Sequence, residues 1–228
     1  RTLLLARLAA AMQQARLVTL VGEAGVGKTR VAQEFARTCD TQTPGSVLYC
    51  DLRGARDTAA MVRALLEALA IAGETPLHSD VAVAAAGRAL AMRGATLIVL
   101  DNLEHLLPDA AAVISRWLEL AGEARFLTTS RDPVGARCEQ IVAVEPLSTS
   151  DGVDGQSDAL RLLVSRVRDF HQDYSPSARD ILLMDTVVSK TRGVPLAIEL
   201  CASRFGEEQV ALASRAQDVD DGAAEPGA

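Results

Sequence analysis

The run Gly22-Glu-Ala-Gly-Val-Gly-Lys28-Thr29 fits the spacing G-x-x-x-x-G-K-[ST] without a gap, and that spacing wraps a polyphosphate. Each residue type has a physical reason. Gly22, Gly25 and Gly27 allow a loop whose backbone N–H groups converge on phosphate oxygens, with Glu23, Ala24 and Val26 in the variable positions. The helix that follows Lys28, from Thr29 and Arg30 onward, then adds its positive N-terminal end. Lys28 is expected to reach the β- and γ-phosphates, and the Thr29 hydroxyl to ligate magnesium. The loop therefore implies a nucleoside triphosphate with Mg2+, ATP first among them. A chance glycine-rich turn is the alternative, and the strand before the motif and the helix after it argue against that.

Such a loop needs a carboxylate to hold the metal, and Leu97-Ile-Val-Leu100-Asp101 supplies one. An apolar run ending in Asp sets the carboxylate at the carboxyl edge of a sheet, where open α/β folds bind ligands. Catalytic duty is assigned to Lys28, Asp101, Arg131 and Glu104. The position after Asp101 is Asn102, where many P-loop ATPases carry a second acid. Glu104 is the nearest acid, and either polarises the attacking water or is a solvated residue at a helix start. His105 reads as a packing or hydrogen-bonding residue. Arg131 follows the strand-like run Arg125-Phe-Leu-Thr-Thr129. A cation there could read a γ-phosphate; spacing alone favours an ordinary surface arginine over that role.

Positioning these groups requires strands alternating with helices. A helix is read over 2–15, and Leu17–Val21 is a short continuous apolar run, the pattern of a strand buried on both faces. A helix follows over 29–38, then strands at 46–50, 96–100, 125–129 and 141–144. Between them helices are read over 57–72, over about 80–93, and from Pro108 to Gly122, where Val113, Ile114, Trp117 and Leu118 form the apolar stripe. This alternation predicts an α/β fold: a three-layer P-loop NTPase sandwich with a five-stranded parallel sheet. The character changes after Pro146. The expected organisation is a P-loop nucleotide-binding domain over 1–147, a polar linker over 148–157, a small all-helical domain over 158–216 and a disordered tail over 217–228. Helices are read there over 158–170, 177–191 and 195–213.

The chain has 228 residues, 49% of them hydrophobic, and a formal net charge of −7. That length buries a core without disulfides or structural metal. The acidic balance repels phosphate backbones, so direct nucleic-acid binding by this segment is not expected. Cys39, Cys50, Cys138 and Cys201 form no CxxC pair and read as reduced thiols of a cytoplasmic protein. No run approaches the ~18 consecutive apolar residues of a membrane span, so no membrane partner is expected. The chain starts at Arg1, which reads as a piece of something longer, with further domains of the same parent protein as its partners.

Taken together, four blocks resemble the STAND class of signal-transduction ATPases, which includes the NB-ARC domains, and most closely the ATPase modules of bacterial transcriptional regulators. The blocks are Leu17 to Arg30, Leu97 to Leu107, Phe126-Leu-Thr-Thr-Ser-Arg-Asp-Pro133 and Gly193-Val-Pro-Leu-Ala-Ile-Glu-Leu200. The first two are generic to P-loop proteins, the third is more specific, and the last in this order and spacing makes the match strong. The likeness covers about residues 15–205. It implies that Arg131 is the sensor of the γ-phosphate and that Pro195 packs near the base and ribose of ADP. From the residues alone, Gly193-Val-Pro195 is a helix junction, with glycine as C-terminal stop and proline in the next first turn. The base-contacting Gly-Arg-Glu element that such proteins carry upstream of the P-loop would fall before the start of this chain, so part of the base contact is expected to be missing or trimmed away. Asp101-Asn102 also replaces the usual adjacent acidic pair, which implies slow turnover.

The resemblance thus implies an ATP/ADP-binding switch with slow hydrolysis and nucleotide-dependent self-association, the regulatory module of a larger signalling or transcription-regulating protein. The alternative is an AAA+-like ATPase motor with steady turnover; no second sensor arginine is evident beyond Arg192 and Arg204. A nucleotide or small-molecule kinase would need an Arg-rich lid, and 133–157 holds only Arg137.

Overall fold

The computed structural model describes residues 2–43, 45–71, 80–107, 109–150, 156–170, 172 and 174–204. Pro108, part of the expected linker, the end of the expected helical domain and the expected tail lie outside them. The chain divides into two compact units, Arg1–Glu145 and Pro146–Ala228, each described by itself.

The first unit is a five-stranded sheet in the order β2-β3-β4-β1-β5, every pair parallel. The strands are β1 (Leu17–Val21), β2 (Val47–Asp51), β3 (Leu97–Asp101), β4 (Arg125–Ser130) and β5 (Glu139–Ala143). Helix α1 (Thr2–Gln14) precedes β1, and α2 (Lys28–Gln42), α3 (Thr58–Ala68), α4 (Asp80–Arg93) and α5 (Asp109–Leu120) connect the strands from β1 to β4. This is the expected α/β sandwich. Because β4 lies between β1 and β3, the β1 loop, the β4 tip and the β3 tip sit side by side along one edge.

Two cores cover the sheet, and successive strand residues alternate between them. Leu48, Cys50, Ile98, Leu100 and Phe126 join the core under α3, α4 and α5. Val18, Leu20, Leu97, Val99 and Leu127 join the core under α1 and α2, with Tyr49 packed against it. Trp117 of α5 stacks on Phe126 with ring centroids 6.1 Å apart, and its Nε1–H donates to the Val83 carbonyl of α4 at 3.0 Å. The Arg16 guanidinium donates to the Leu118 and Ala121 carbonyls at 2.9 and 3.0 Å, closing the C-terminal turn of α5 with a cation that suits its dipole.

Element ends differ from the sequence reading where polarity hid them. β5 starts at Glu139 rather than 141: Glu139 and Gln140 pair with Leu17 and Val18. It is an edge strand with half-exposed Ile141, so polar residues are tolerated. β3 includes Asp101 itself. α2 extends to Gln42 through a polar last turn. α3 ends at Ala68, and Ala70 then turns to φ 55°.

The second unit contains α6 (Asp158–Phe170), α7 (Ala178–Lys190) and helical residues 195–204. Leu160, Leu163 and Val167 of α6 pack with Met184, Val188, Ile198 and Ala202. Ser177 and Asp180 form a reciprocal capping box at the start of α7, which satisfies its first free N–H groups. Gly193 (φ 70°) ends the turn after α7, its N–H reaching the Val188 carbonyl and its carbonyl accepting from Leu147 N–H at 2.9 Å. A Cβ there would lie 2.0 Å from the Leu147 carbonyl oxygen, so glycine is required twice over, by conformation and by space.

Candidate functional site

Residues 22–27 form the loop between β1 and α2. Gly25 and Gly27 take φ 75° and 99°, left-handed values that side chains disfavour. Gly22 is needed for a different reason: a Cβ would meet the Val144 carbonyl oxygen at 2.5 Å. Val26 is buried in the core under the loop, while Glu23, Ala24 and Arg30 are exposed. Helix α2 begins at Lys28 directly after Gly27, so its free N–H groups open onto the loop. The Lys28 ammonium donates to the Gly22 and Glu23 carbonyls at 2.8 and 3.1 Å. Its burial lowers its pKa; the field of Glu104 opposes this, Arg131 adds to it and Asp101 opposes it. The four groups assigned catalytic duty are thus electrostatic neighbours.

Asp101 is 2% exposed and accepts three hydroxyl hydrogen bonds. Thr29 donates to Oδ1 at 3.0 Å, Thr129 to Oδ1 at 2.5 Å and Tyr49 to Oδ2 at 2.8 Å. Thr129 in turn accepts from the Asn102 N–H at 2.9 Å, and Asn102 takes φ 65°, a conformation asparagine tolerates. Alternation explains the convergence. Tyr49, Asp101 and Thr129 share parity with Val99 and Leu127, so all three face α2 and its Thr29. Thr128 faces the other way, where its hydroxyl pairs with that of Thr19 on β1 at 2.7 Å.

Glu104 and Arg131 complete the edge. The Arg131 side chain is 61% exposed and its Nε lies 3.7 Å from Glu104 Oε1. Glu104 Oε2 is buried without a hydrogen-bond partner. Such a group is primed to accept a hydrogen bond from anything that enters. His105 is exposed. Pro195 belongs to the second unit, where it opens the 195–204 helix.

A hard dication suits these donors. Thr29 Oγ1 and Asp101 Oδ1 are adjacent neutral and anionic oxygens beside a phosphate-type loop, the ligand type magnesium takes together with substrate phosphates. Thr29 and Asp101 would hold it, and it would supply charge neutralisation between phosphate oxygens. Tyr49 and Thr129 were not singled out from sequence. The usable signal was strand parity combined with the pairing of β2 and β4 against β3.

An AAA domain matches residues 11–130, from the end of α1 to the tip of β4. This chain belongs to the AAA domain family. As an AAA domain it is 33% identical over 190 residues to an uncharacterized protein of Mycobacterium tuberculosis, covering 83% of this chain and 46% of the relative. It is 28% identical over 195 residues to a Mycobacterium tuberculosis protein named as an HTH-type transcriptional regulator, covering 86% of this chain and 21% of the relative. The chain therefore spans less than half the length of these relatives. Among solved structures it resembles Cdc6p from Pyrobaculum aerophilum, with TM-score 0.65 and 17% identity over 90% of this chain and 62% of that one. It also resembles a STAND protein with a tetratricopeptide repeat sensor from Pyrococcus horikoshii, with TM-score 0.53 and 15% identity over 82% of this chain and 27% of that one. Drosophila ORC bound to DNA matches with TM-score 0.56 and 16% identity, over 83% of this chain and 55% of that one. At these identities the likeness is one of fold: a P-loop ATPase of the AAA type. Among the described residues, no helix is long and apolar enough to cross a membrane.

Proposed function

We propose that this AAA domain is an ATP/ADP-binding switch of the STAND type, hydrolysing ATP slowly within a larger regulatory protein. The backbone N–H groups of residues 22–28 and the α2 N-terminus take the phosphates, and Lys28 compensates their charge. Thr29 and Asp101 hold magnesium. Glu104 accepts a hydrogen bond from the attacking water and so orients it, while Arg131 reads the γ-phosphate. The observation that carries this reading is the loose Arg131–Glu104 pair at 3.7 Å, beside a Glu104 oxygen with no partner. A triphosphate can recruit the arginine, and a diphosphate leaves it on Glu104. That is the differential affinity a ligand-driven switch needs.

Pro195 is assigned to the nucleotide base and ribose, on the strength of the Gly193-Val-Pro195 block. Nucleotide-dependent self-association and further domains of the parent protein complete the proposal. The named role of the HTH-type relative supports a regulatory setting, and the net charge of −7 supports leaving nucleic-acid contact to other segments. The AAA family match over residues 11–130 is equally compatible with a second reading, an AAA+-like motor with steady turnover. One preparation decides between them. The switch predicts tightly retained ADP and hydrolysis well under about one turnover per second, below the enzyme median. Turnover of tens per second rules it out.

A further inference from the structure

Asp101 is served from both of its oxygens, and the two sides have different sources. On Oδ1 the donors are Thr29 and Thr129, residues of the loop–helix junction and of the neighbouring strand. On Oδ2 the donor is the phenol of Tyr49, at 2.8 Å. Tyr49 pairs with Val99, two residues before Asp101 on β3, so its ring must lie along the sheet toward the edge to reach the carboxylate. The ring is packed against the α2-side core, which restricts it to that course. Among the described residues the phenol donates to no other side chain, so its one donated hydrogen bond is spent on the carboxylate. The carboxylate is therefore gripped from three elements, by Thr29 of α2, Thr129 of β4 and Tyr49 of β2.

A carboxylate turns about a broad, roughly two-fold torsion. Holding one oxygen leaves the group free to swing; holding both fixes its plane. We propose that Tyr49 is a positioning residue for the metal-binding carboxylate, its hydroxyl fixing the rotation of Asp101 so that Oδ1 is presented beside Thr29. This rests on the reading of Asp101 and Thr29 as the magnesium ligands. Hydrogen-bond partners behind metal ligands typically change metal affinity by about 10- to 100-fold when removed. Tyr49 acts on metal affinity and leaves phosphate capture by the loop alone.

The test is Tyr49→Phe, which keeps the ring and removes only the oxygen. ADP affinity is measured by fluorescence of a labelled ADP in EDTA and in excess Mg2+. Mn2+ affinity of the ADP-bound protein is measured by electron paramagnetic resonance, and thermal unfolding establishes the folded fraction. The expected result is Mn2+ affinity weakened roughly 10-fold, with ADP affinity in EDTA within about twofold of wild type. An unchanged Mn2+ affinity overturns the proposal. So does equal weakening with and without the divalent ion, which would mark a purely structural tyrosine. Asp101→Asn is run in parallel and is expected to abolish divalent dependence. If it does not, the metal-site reading itself falls, and this proposal with it.

Discussion

Asp101 and Glu104 are carboxylates three residues apart at one sheet edge, and they are held in opposite ways. Asp101 ends a strand, is 2% exposed and takes hydrogen bonds from three hydroxyls. Glu104 sits in the following loop with one oxygen 3.7 Å from a mobile-length arginine side chain and the other without a partner. A buried charge is tolerated only when its hydrogen-bonding capacity is met, so the strand-borne acid is rigid by necessity. The loop-borne acid has a buried oxygen whose capacity is not met and only a loose ion pair on the other, so it is open to a new partner. On the proposed reading, the difference separates the part of the site that holds from the part that senses.

Substitutions break this contrast in order of size. Lys28→Ala should lower nucleotide affinity by more than about 100-fold, since it removes the one cation within the phosphate loop, while thermal unfolding shows the fold retained. Nucleotide content after purification checks it, and undiminished retention would contradict the site. Glu104→Gln should reduce hydrolysis about 100-fold if the carboxylate orients water. Because the ion pair is loose, at 3.7 Å to an arginine that is 61% exposed, stability should change by under about 0.5 kcal/mol. Single-turnover hydrolysis beside a denaturation curve separates the two, and a large stability loss with normal turnover would reverse the assignment. Arg131→Ala should narrow the preference for ATP over ADP by roughly 10-fold, equivalent to about 1.4 kcal/mol, with ADP affinity nearly unchanged. Competitive titration of the two nucleotides reads this directly. Thr128→Val sharpens the contrast from the opposite face. It breaks the hydroxyl pair with Thr19 and should cost about 1 kcal/mol of stability without altering nucleotide binding.

What could be read without coordinates follows from locality. The P-loop is contiguous, and its flanking strand and helix are signalled within a few residues, so the loop was legible from Leu17 to Thr38, and the α/β class from the alternation that continues to residue 144. Asp101 was legible because an apolar run ends on it. The strand order was not, because placing β4 between β1 and β3 depends on pairings such as Thr19 with Thr128, between residues more than one hundred positions apart. Tyr49 and Thr129 escaped for the same reason. Each looks like an ordinary strand residue, and becomes chemistry only when register puts it beside Asp101. Glu139 and Gln140 escaped because an edge strand does not demand apolar residues.

Gly22 carries a lesson for anyone using the motif as a search pattern. Its missing side chain is dictated by the Val144 carbonyl 2.5 Å from where a Cβ would stand, which is an architectural demand made by the exit of β5. A designed or degenerate version of this chain that had lost all interest in nucleotides would still have to retain that glycine to close its sheet. Lys28 is under no comparable architectural demand. In sorting active copies from hollow ones, the lysine is the diagnostic letter and the first glycine is silent.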